Sequence, residues 1–467
     1  MPPAWFLHVS LLHGWFPDGV TLIAWCALAF GVAWRRRRPW HWIAIGAGAL
    51  VGAAVVAWIV DVPARFGNTV PRSFLVWVAL PLFALAAGLW QWPVVAWWRR
   101  AVALVAVPAL LAFGGLQINA HYAYLPTVGD LLRGPLPGQV DARNLEALSS
   151  SVDASGRIVV FSSRSIANGG VVAEIDIPAT TSQFRHRPAW VWLPAVYFTR
   201  PHPHLSVLVL ISGTPGSPED WLRGGGALAL ANSWAAAHRG DAPIMVLPDA
   251  NGSATADTEC VDGPRGRAET YLSVDVPTFV HRRFSTSADP RRWAIAGLSE
   301  GGTCALVLAA RHPDRFGSFG DFAGDPAPTL GSENTTLRDL YGGSSRAQHA
   351  HDPTVWFPAD ASAGSAGFVA VGSRDHGHVA AELRVVDAAR AAHLPVHLDI
   401  LPNDGHTFRA WKQALEDAYP WLVGRLDPTS GSSTVAYGRP IHAEPYSGHR
   451  HRTATGHAPT HSPPDRR

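Results

Sequence analysis

The chain begins with four almost unbroken apolar runs, at roughly Phe16–Trp34, Trp40–Val60, Phe74–Trp92 and Ala101–Ala120. Each is near the ~20 residues that a helix needs to cross the hydrocarbon core of a bilayer. A cleaved signal peptide accounts for one such run, not for four in succession. Residues 1–120 are therefore expected to form an all-α bundle of four transmembrane helices. From about Gly156 the pattern changes to short β-rich runs alternating with amphipathic helical ones. Strands are expected at Val191–Phe198, Leu205–Ile211, Ile244–Leu247, Trp293–Leu298, Phe368–Val371 and His397–Leu401. Continuous runs such as VLVLI and WAIAG suit strands covered on both faces, as in a parallel sheet. Helices fit between them at Tyr271–Phe284, Gly301–Arg311, Val379–Ala392 and Phe408–Leu422. The pattern predicts a three-layer α/β fold over 156–426, preceded by a linker over 121–155. From Asp427 to Arg467 Ser, Gly, Pro and His dominate, and a disordered tail is expected because apolar surface is too scarce to offset chain entropy.

Composition sharpens the division. Before His121 the acidic residues are Asp18 and Asp61 alone, while twelve of the 20 tryptophans fall there. Trp40, Trp42, Trp90, Trp92, Trp97 and Trp98 cluster at the ends of the apolar runs, where aromatic belts lie. Arg35–Arg38 separate the first two runs, and Arg99 and Arg100 lie between the last two. No Lys or Arg precedes the first run, and the loop between the second and third carries only Arg65 and Arg72. The positive-inside rule then puts the two basic loops in the cytoplasm and both termini, with everything after His121, outside it. Gly48 and Gly52 offer a small-residue helix seam, and Cys26 reads as a small apolar filler of the first helix. A net charge of +2 exerts no global pull toward nucleic acid. Three cysteines exclude a disulfide-dense scaffold but leave room for one bridge.

Candidate chemistry centres on Gly297-Leu298-Ser299-Glu300-Gly301, a G-x-S-x-G pattern between the apolar strand RRWAIAGL and the helix EGGTCALVLAARH. Strand, sharp turn and helix are the context in which that pattern makes a nucleophile of its serine. A serine hydroxyl needs a base, and the base an orienting acid. Downstream, His406 sits in a loop between a strand and a helix, and Asp375 ends the strand FVAVGSRD. Glu382, about two helical turns later, is the alternative acid; Asp404 is close enough to His406 to serve the turn instead. Backbone N–H groups of Glu300 and Thr214 are the candidates for an oxyanion hole.

Taken in order, VWLPAVYF, LISGTPGSPEDW, VLPDANG, GLSEGGTCAL, VGSRD and NDGHTFRAWKQAL resemble the esterase family that includes esterase D, feruloyl esterases and the antigen 85 mycolyltransferases. The resemblance spans about Val191 to Leu422 and implies an α/β-hydrolase fold, a Ser–acid–His triad and an ester substrate, with no cofactor or metal. Its esterase branch implies Asp375 as the acid, whereas the mycolyltransferase branch implies a glutamate in the next helix, as at Glu382. Outside the cytoplasm disulfides persist, and Cys260 and Cys304 are expected to pair. The reading is a membrane-anchored, extracytoplasmic serine esterase or acyltransferase acting on cell-envelope or lipidic esters. Two other classes stay open. A metal-dependent hydrolase would draw ligands from His349, His351 and Asp352, or from Asp375, His376 and His378. A catalytically inactive hydrolase domain would serve as a binding module on its anchor. His442, His449, His451, His457 and His461 in the tail are explained by low complexity.

Overall fold

Residues 3–31, 40–64, 71–148, 150–152, 158–160, 169–199, 203–356 and 365–426 are described by a computed structural model. The expected tail over 427–467 lies outside the described residues. The apolar runs become helices α1 (Trp15–Gly31), α2 (Trp40–Ala64), α3 (Arg72–Gln91) and α4 (Trp97–Tyr122). Three of them hold stretches long and apolar enough to cross a membrane, at Trp40–Ile59, Ser73–Gln91 and Trp97–Tyr122. With 17 described residues α1 is apolar but shorter, about 26 Å at 1.5 Å per residue. The end of its run, to Trp34, lies outside the described residues.

Small residues let the helices approach. α1 packs on α4, α4 on α3 and α3 on α2. A Cβ added at Gly114 of α4 would stand 2.9 Å from the Trp77 carbonyl oxygen of α3. The α2–α3 seam is built from Ala49, Gly52 and Ala53 against Ala79 and Leu82. Gly48, expected in that seam, faces outward with nothing near it, one residue out of phase with the buried stripe. Cys26 is also exposed rather than filling the bundle, because Ala24 and Ala27 take the inward positions. Outward faces carry Leu22, Ile43, Val51, Val76 and Leu104. That composition suits lipid better than water.

Eight strands form the main sheet: β1 (Gly170–Ile175), β2 (Ala189–Pro194), β3 (Val207–Ile211), β4 (Ile244–Leu247), β5 (Trp293–Leu298), β6 (Ser318–Phe322), β7 (Ala366–Gly372) and β8 (Val396–Leu401). Their order is β1-β2-β4-β3-β5-β6-β7-β8, with β2 antiparallel to both neighbours and parallel pairing from β4 onward. The expected strand at Val191–Phe198 ends at Pro194, where the chain turns into a short 3₁₀ helix, Ala195–Phe198. Alternation along β3 serves two cores. Val207, Val209 and Ile211 face the layer containing α6 (Val276–Phe284), α7 (Glu300–Arg311) and α8 (His376–Ala391). Leu208 and Leu210 face α5 (Ala227–Ala237) and α9 (Phe408–Leu426). This is the three-layer α/β-hydrolase sandwich.

Residues 123–148, expected within a linker, are folded against this sandwich. Val140 donates to the Val172 carbonyl at 2.9 Å, and Arg223 pairs with Asp130 at 3.2 Å. The segment before α1 returns to the same place. Ser10 bridges Thr127, Leu11 donates to the Pro126 carbonyl and Val128 to that of Val9, both at 2.9 Å. The entrance to α1 and the exit from α4 thus lie at one end of the bundle.

A disulfide joins Cys260, in the loop after β4, to Cys304 on α7, closing 44 residues of sequence. Both half-cystines are fully buried. We expect non-reduced peptide mapping to recover the two cysteine peptides as one. Replacing both by alanine should lower unfolding stability by about 4 kcal/mol on the chain-entropy estimate; an unchanged denaturation midpoint would contradict that contribution.

Candidate active site

The site begins with a backbone constraint. Ser299 stands between β5 and α7 at φ 55° and ψ −126°, a conformation costly for any residue with a side chain, of order 1–3 kcal/mol. Glycine on either side makes room for it. A Cβ at Gly297 would overlap the Gly301 carbonyl, and one at Gly301 would overlap that of Ile211. The amide of Ser299 donates to Phe322 of β6 at 2.9 Å, and its carbonyl accepts from Gly302 at 2.8 Å. The hydroxyl is lifted above the carboxyl edge of the sheet at the amino terminus of a helix, where developing negative charge is favoured.

Two further strand ends bring the partners. His406 lies between β8 and α9, with its Nε2 2.9 Å from Ser299 Oγ. Its Nδ1 is 2.6 Å from Asp375 Oδ2, Asp375 being the residue from which α8 starts. The three side chains span 107 residues of sequence between Ser299 and His406. The imidazole is 12% exposed and Asp375 1%, so the pair is nearly dry while the hydroxyl face stays reachable. Trp411 abuts His406 edge-on, with ring centroids 4.7 Å apart. Asp404 accepts from Arg409 and so serves the turn, as its spacing suggested.

Glu382 goes elsewhere. It is fully buried, its Oε1 accepting from the Gly324 amide at 3.0 Å, and it shares a hydrogen bond with the carboxyl of Asp321. Burial, reinforced by the neighbouring Asp321 charge, pushes its pKa well up, and a protonated carboxyl orients no imidazole.

One participant was not assigned a place beside the triad by sequence. His378 donates through Nδ1 to Asp375 Oδ1 at 2.8 Å and stacks on His406 with ring centroids 4.4 Å apart. Its position three residues after Asp375, in the first turn of α8, was the available signal. Burial would raise the Asp375 carboxyl, yet hydrogen bonds from His378 and His406 outweigh it and hold that group well below the usual carboxylate range. Burial lowers His406, Asp375 opposes it, the positive charge available to His378 adds to the lowering, and the net shift is downward. For His378 the balance runs upward: burial opposes its proton, but Asp375 retains it. At neutral pH His406 is therefore the ring left free to accept a proton.

The histidines considered as metal ligands are differently committed. His351 uses Nε2 on Glu269 and Nδ1 on the Ala347 carbonyl, at 2.9 and 2.7 Å, while His349 and His376 are exposed. Donor atoms of Asp375, His378 and His406 lie within 4.8 Å of one another, but this closeness belongs to their mutual hydrogen bonds.

Across from Ser299 runs the loop 212–221. An added Cβ at Gly213 would touch Ser299 Cβ at 3.0 Å, so the loop passes close beside the serine. The amides of Thr214 and Glu300 have no hydrogen-bond partner among the described residues, while their neighbours are pinned. Thr214 Oγ1 donates to the Ala256 carbonyl at 2.6 Å, and Arg187 donates to that of Gly216 at 2.9 Å while pairing with Asp249 at 2.6 Å. Arg187 gave no sequence signal. The Glu300 side chain points away into a buried acidic group, accepting from Asn251 at 2.8 Å; burial first, then Asp257, raises its pKa strongly. Kept neutral, it places no repelling charge beneath the hydroxyl. The hydroxyl opens into a mainly apolar cavity of about 1040 Å³.

The esterase family, described as "Putative esterase", matches residues 182–422. The chain belongs to the esterase family. An uncharacterized protein of Corynebacterium glutamicum is 31% identical over 406 residues, covering 84% of this esterase and 91% of the relative. An alignment that long does not fit within residues 123–467, so the likeness extends into the helices. The MPT51 antigen of Mycobacterium leprae is 28% identical over 142 residues, 30% of this esterase and 44% of that protein. Among solved structures, a ferulic acid esterase overlays with TM-score 0.48 and 19% identity over 55% of this esterase and 98% of its own length.

Replacing His378 by glutamine removes a like charge beside His406. The His406 pKa should then rise, and the acidic limb of the pH–kcat/KM profile should move to higher pH. A profile that stays in place or moves the other way would show that His378 leaves the imidazole untouched.

Proposed function

We propose that this esterase is a membrane-anchored, extracytoplasmic serine esterase or acyltransferase working through an acyl-enzyme on Ser299. The supporting observation is the unbroken hydrogen-bonded line from Asp375 through His406 to Ser299, ending beneath two unpartnered amides. Ser299 Oγ attacks the ester carbonyl while its proton passes to His406 Nε2, and Asp375 steadies the imidazolium. The carbonyl oxygen becomes an oxyanion received by the Thr214 and Glu300 amides, each worth roughly 3 kcal/mol in the transition state. As the intermediate collapses, the ester C–O bond breaks and His406 returns its proton to the departing alcohol. Water activated by the same imidazole then releases the acid. A sugar or lipid hydroxyl in its place gives acyl transfer instead. Cell-envelope or lipidic esters are the proposed substrates, because the chain brings its own membrane-spanning helices.

A fluorophosphonate probe should label the full-length protein, and Ser299→Ala should abolish labelling; equal labelling of both would remove Ser299 from its role. Asp375→Asn should lower kcat by about 10⁴-fold, while Glu382→Gln stays within about tenfold of the parent. The opposite ranking would transfer the acid's part to Glu382.

Sidedness is tested separately. In intact cells an impermeant thiol reagent should modify Asp314→Cys, on the catalytic domain, and reach Arg36→Cys only after permeabilisation. The reverse pattern would invert the orientation.

A further inference from the structure

The cavity above Ser299 is not made by the α/β domain alone. Gly115, Ile118, Asn119 and Tyr122, on the last two turns of α4, line it opposite Ser299 and His406. Gly115 and Ile118 fall at the end of the most apolar 18 residues of α4, whose mean hydropathy of 2.1 is that of a membrane span, while Asn119 and Tyr122 stand just beyond, at the polar end of the helix. From Gly115 to Tyr122 the helix rises about 10 Å, so the cavity wall runs from the polar end of α4 to about one turn, ~5 Å, inside its apolar stretch. At about 1040 Å³ the space sits at the top of the ~300–1,000 Å³ range of small-molecule sites. Gly115 marks open volume: a Cβ built there meets nothing within 4 Å.

The helix is fastened to the site rather than resting beside it. Asn119 closes the exit from α4 through two hydrogen bonds with the backbone of Leu125, both 2.8 Å. Two residues beyond α4, Tyr124 donates to Asp220 at 2.9 Å, and Asp220 in turn accepts from the amide and hydroxyl of Ser217 in the loop that carries Thr214. The Tyr124 ring packs on Phe408, Phe408 on Trp411, and Trp411 on His406, with centroid separations of 4.9, 4.9 and 4.7 Å. Arg223 ties the next segment down, pairing with Asp130 and Glu219 at 3.2 and 2.6 Å while donating to the Gly134 carbonyl at 2.8 Å.

We propose that the last two turns of α4 form one wall of an acyl-chain site, so that the substrate is a long-chain ester presented from the bilayer. The inference rests on Ser299 being the acylated residue. A chain lying along Gly115 and Ile118 would have apolar partners in Leu125, Phe408 and Trp411 on its way to Ser299, with the charged lining residues Arg133, Glu174 and Glu219 left to the rest of the cavity. The carbonyl is held beneath the Thr214 and Glu300 amides, and the chain points back toward the membrane.

The test uses the full-length protein in detergent or lipid nanodiscs. An alkyl fluorophosphonate ending in a diazirine acylates nothing but phosphonylates Ser299: the O–P bond forms, fluoride leaves and the proton passes to His406. Irradiation should then crosslink the tail to the peptide containing Gly115–Leu125, read by mass spectrometry. Gly115→Trp and Gly115→Leu should lower kcat/KM for a palmitate ester relative to a butyrate ester by about tenfold or more. Crosslinks confined to the α/β domain, or an unaltered palmitate-to-butyrate ratio in a labelled variant, would overturn the proposal while leaving Ser299 in its role. Absence of probe labelling in the parent protein would instead refute the serine reading on which it stands.

Discussion

Everything at the site depends on one close approach of backbone to backbone. β5 must end, reverse into α7 and leave a single side chain standing, all within Gly297–Gly301. The two glycines let the turn press against itself and against β3, and the helix that follows pins Ser299 in a region of φ and ψ that only surrounding structure can enforce. The disulfide reinforces the same place, because Cys304 lies one turn into α7 and is tied to the loop after β4. Strain at the serine is thus held by a buried helix and its disulfide.

Charge is handled with similar economy. Around the start of α7 are acids whose burial favours the protonated form, Glu300 with Glu259 and Asp321 with Glu382. Asp375 is driven the opposite way by two histidines that donate to it, as Glu269 is by Arg311, His312 and His351 at the far end of α7. Asp375, aligned with His406, is thus held ionised, while burial favours the neutral form of Glu300 and Glu382. Burial sorts the acids, and hydrogen-bond donors choose which one ionises.

Much of this was readable in the sequence. Ile244–Leu247 and Trp293–Leu298 were located to the residue because strands covered on both faces are continuously apolar. β6 was missed for the complementary reason: SFGDF carries Gly320 and Asp321, and an aspartate buried at a strand end reads as a loop. Asp375 and Glu382 both stayed candidates on sequence, since two helical turns apart they share one face of α8 and differ in height along it, Asp375 capping the helix beside His406 and Glu382 lying in its interior. Likewise, nothing in His378 announces a ring stacked on His406, for stacking depends on where α8 and the loop after β8 meet. The apolar runs revealed helices but not their rotation, hence the misplacing of Gly48 and Cys26.

The hydrogen bonds that tie the residues before α1 to those after α4 have a consequence of their own. They make the helical part a closed circuit, with its beginning and its end clasped beside the reaction chamber. A chain without α4 has no clasp and one open side to its chamber. Assembly of the helices thereby becomes part of building the site, not merely of carrying it.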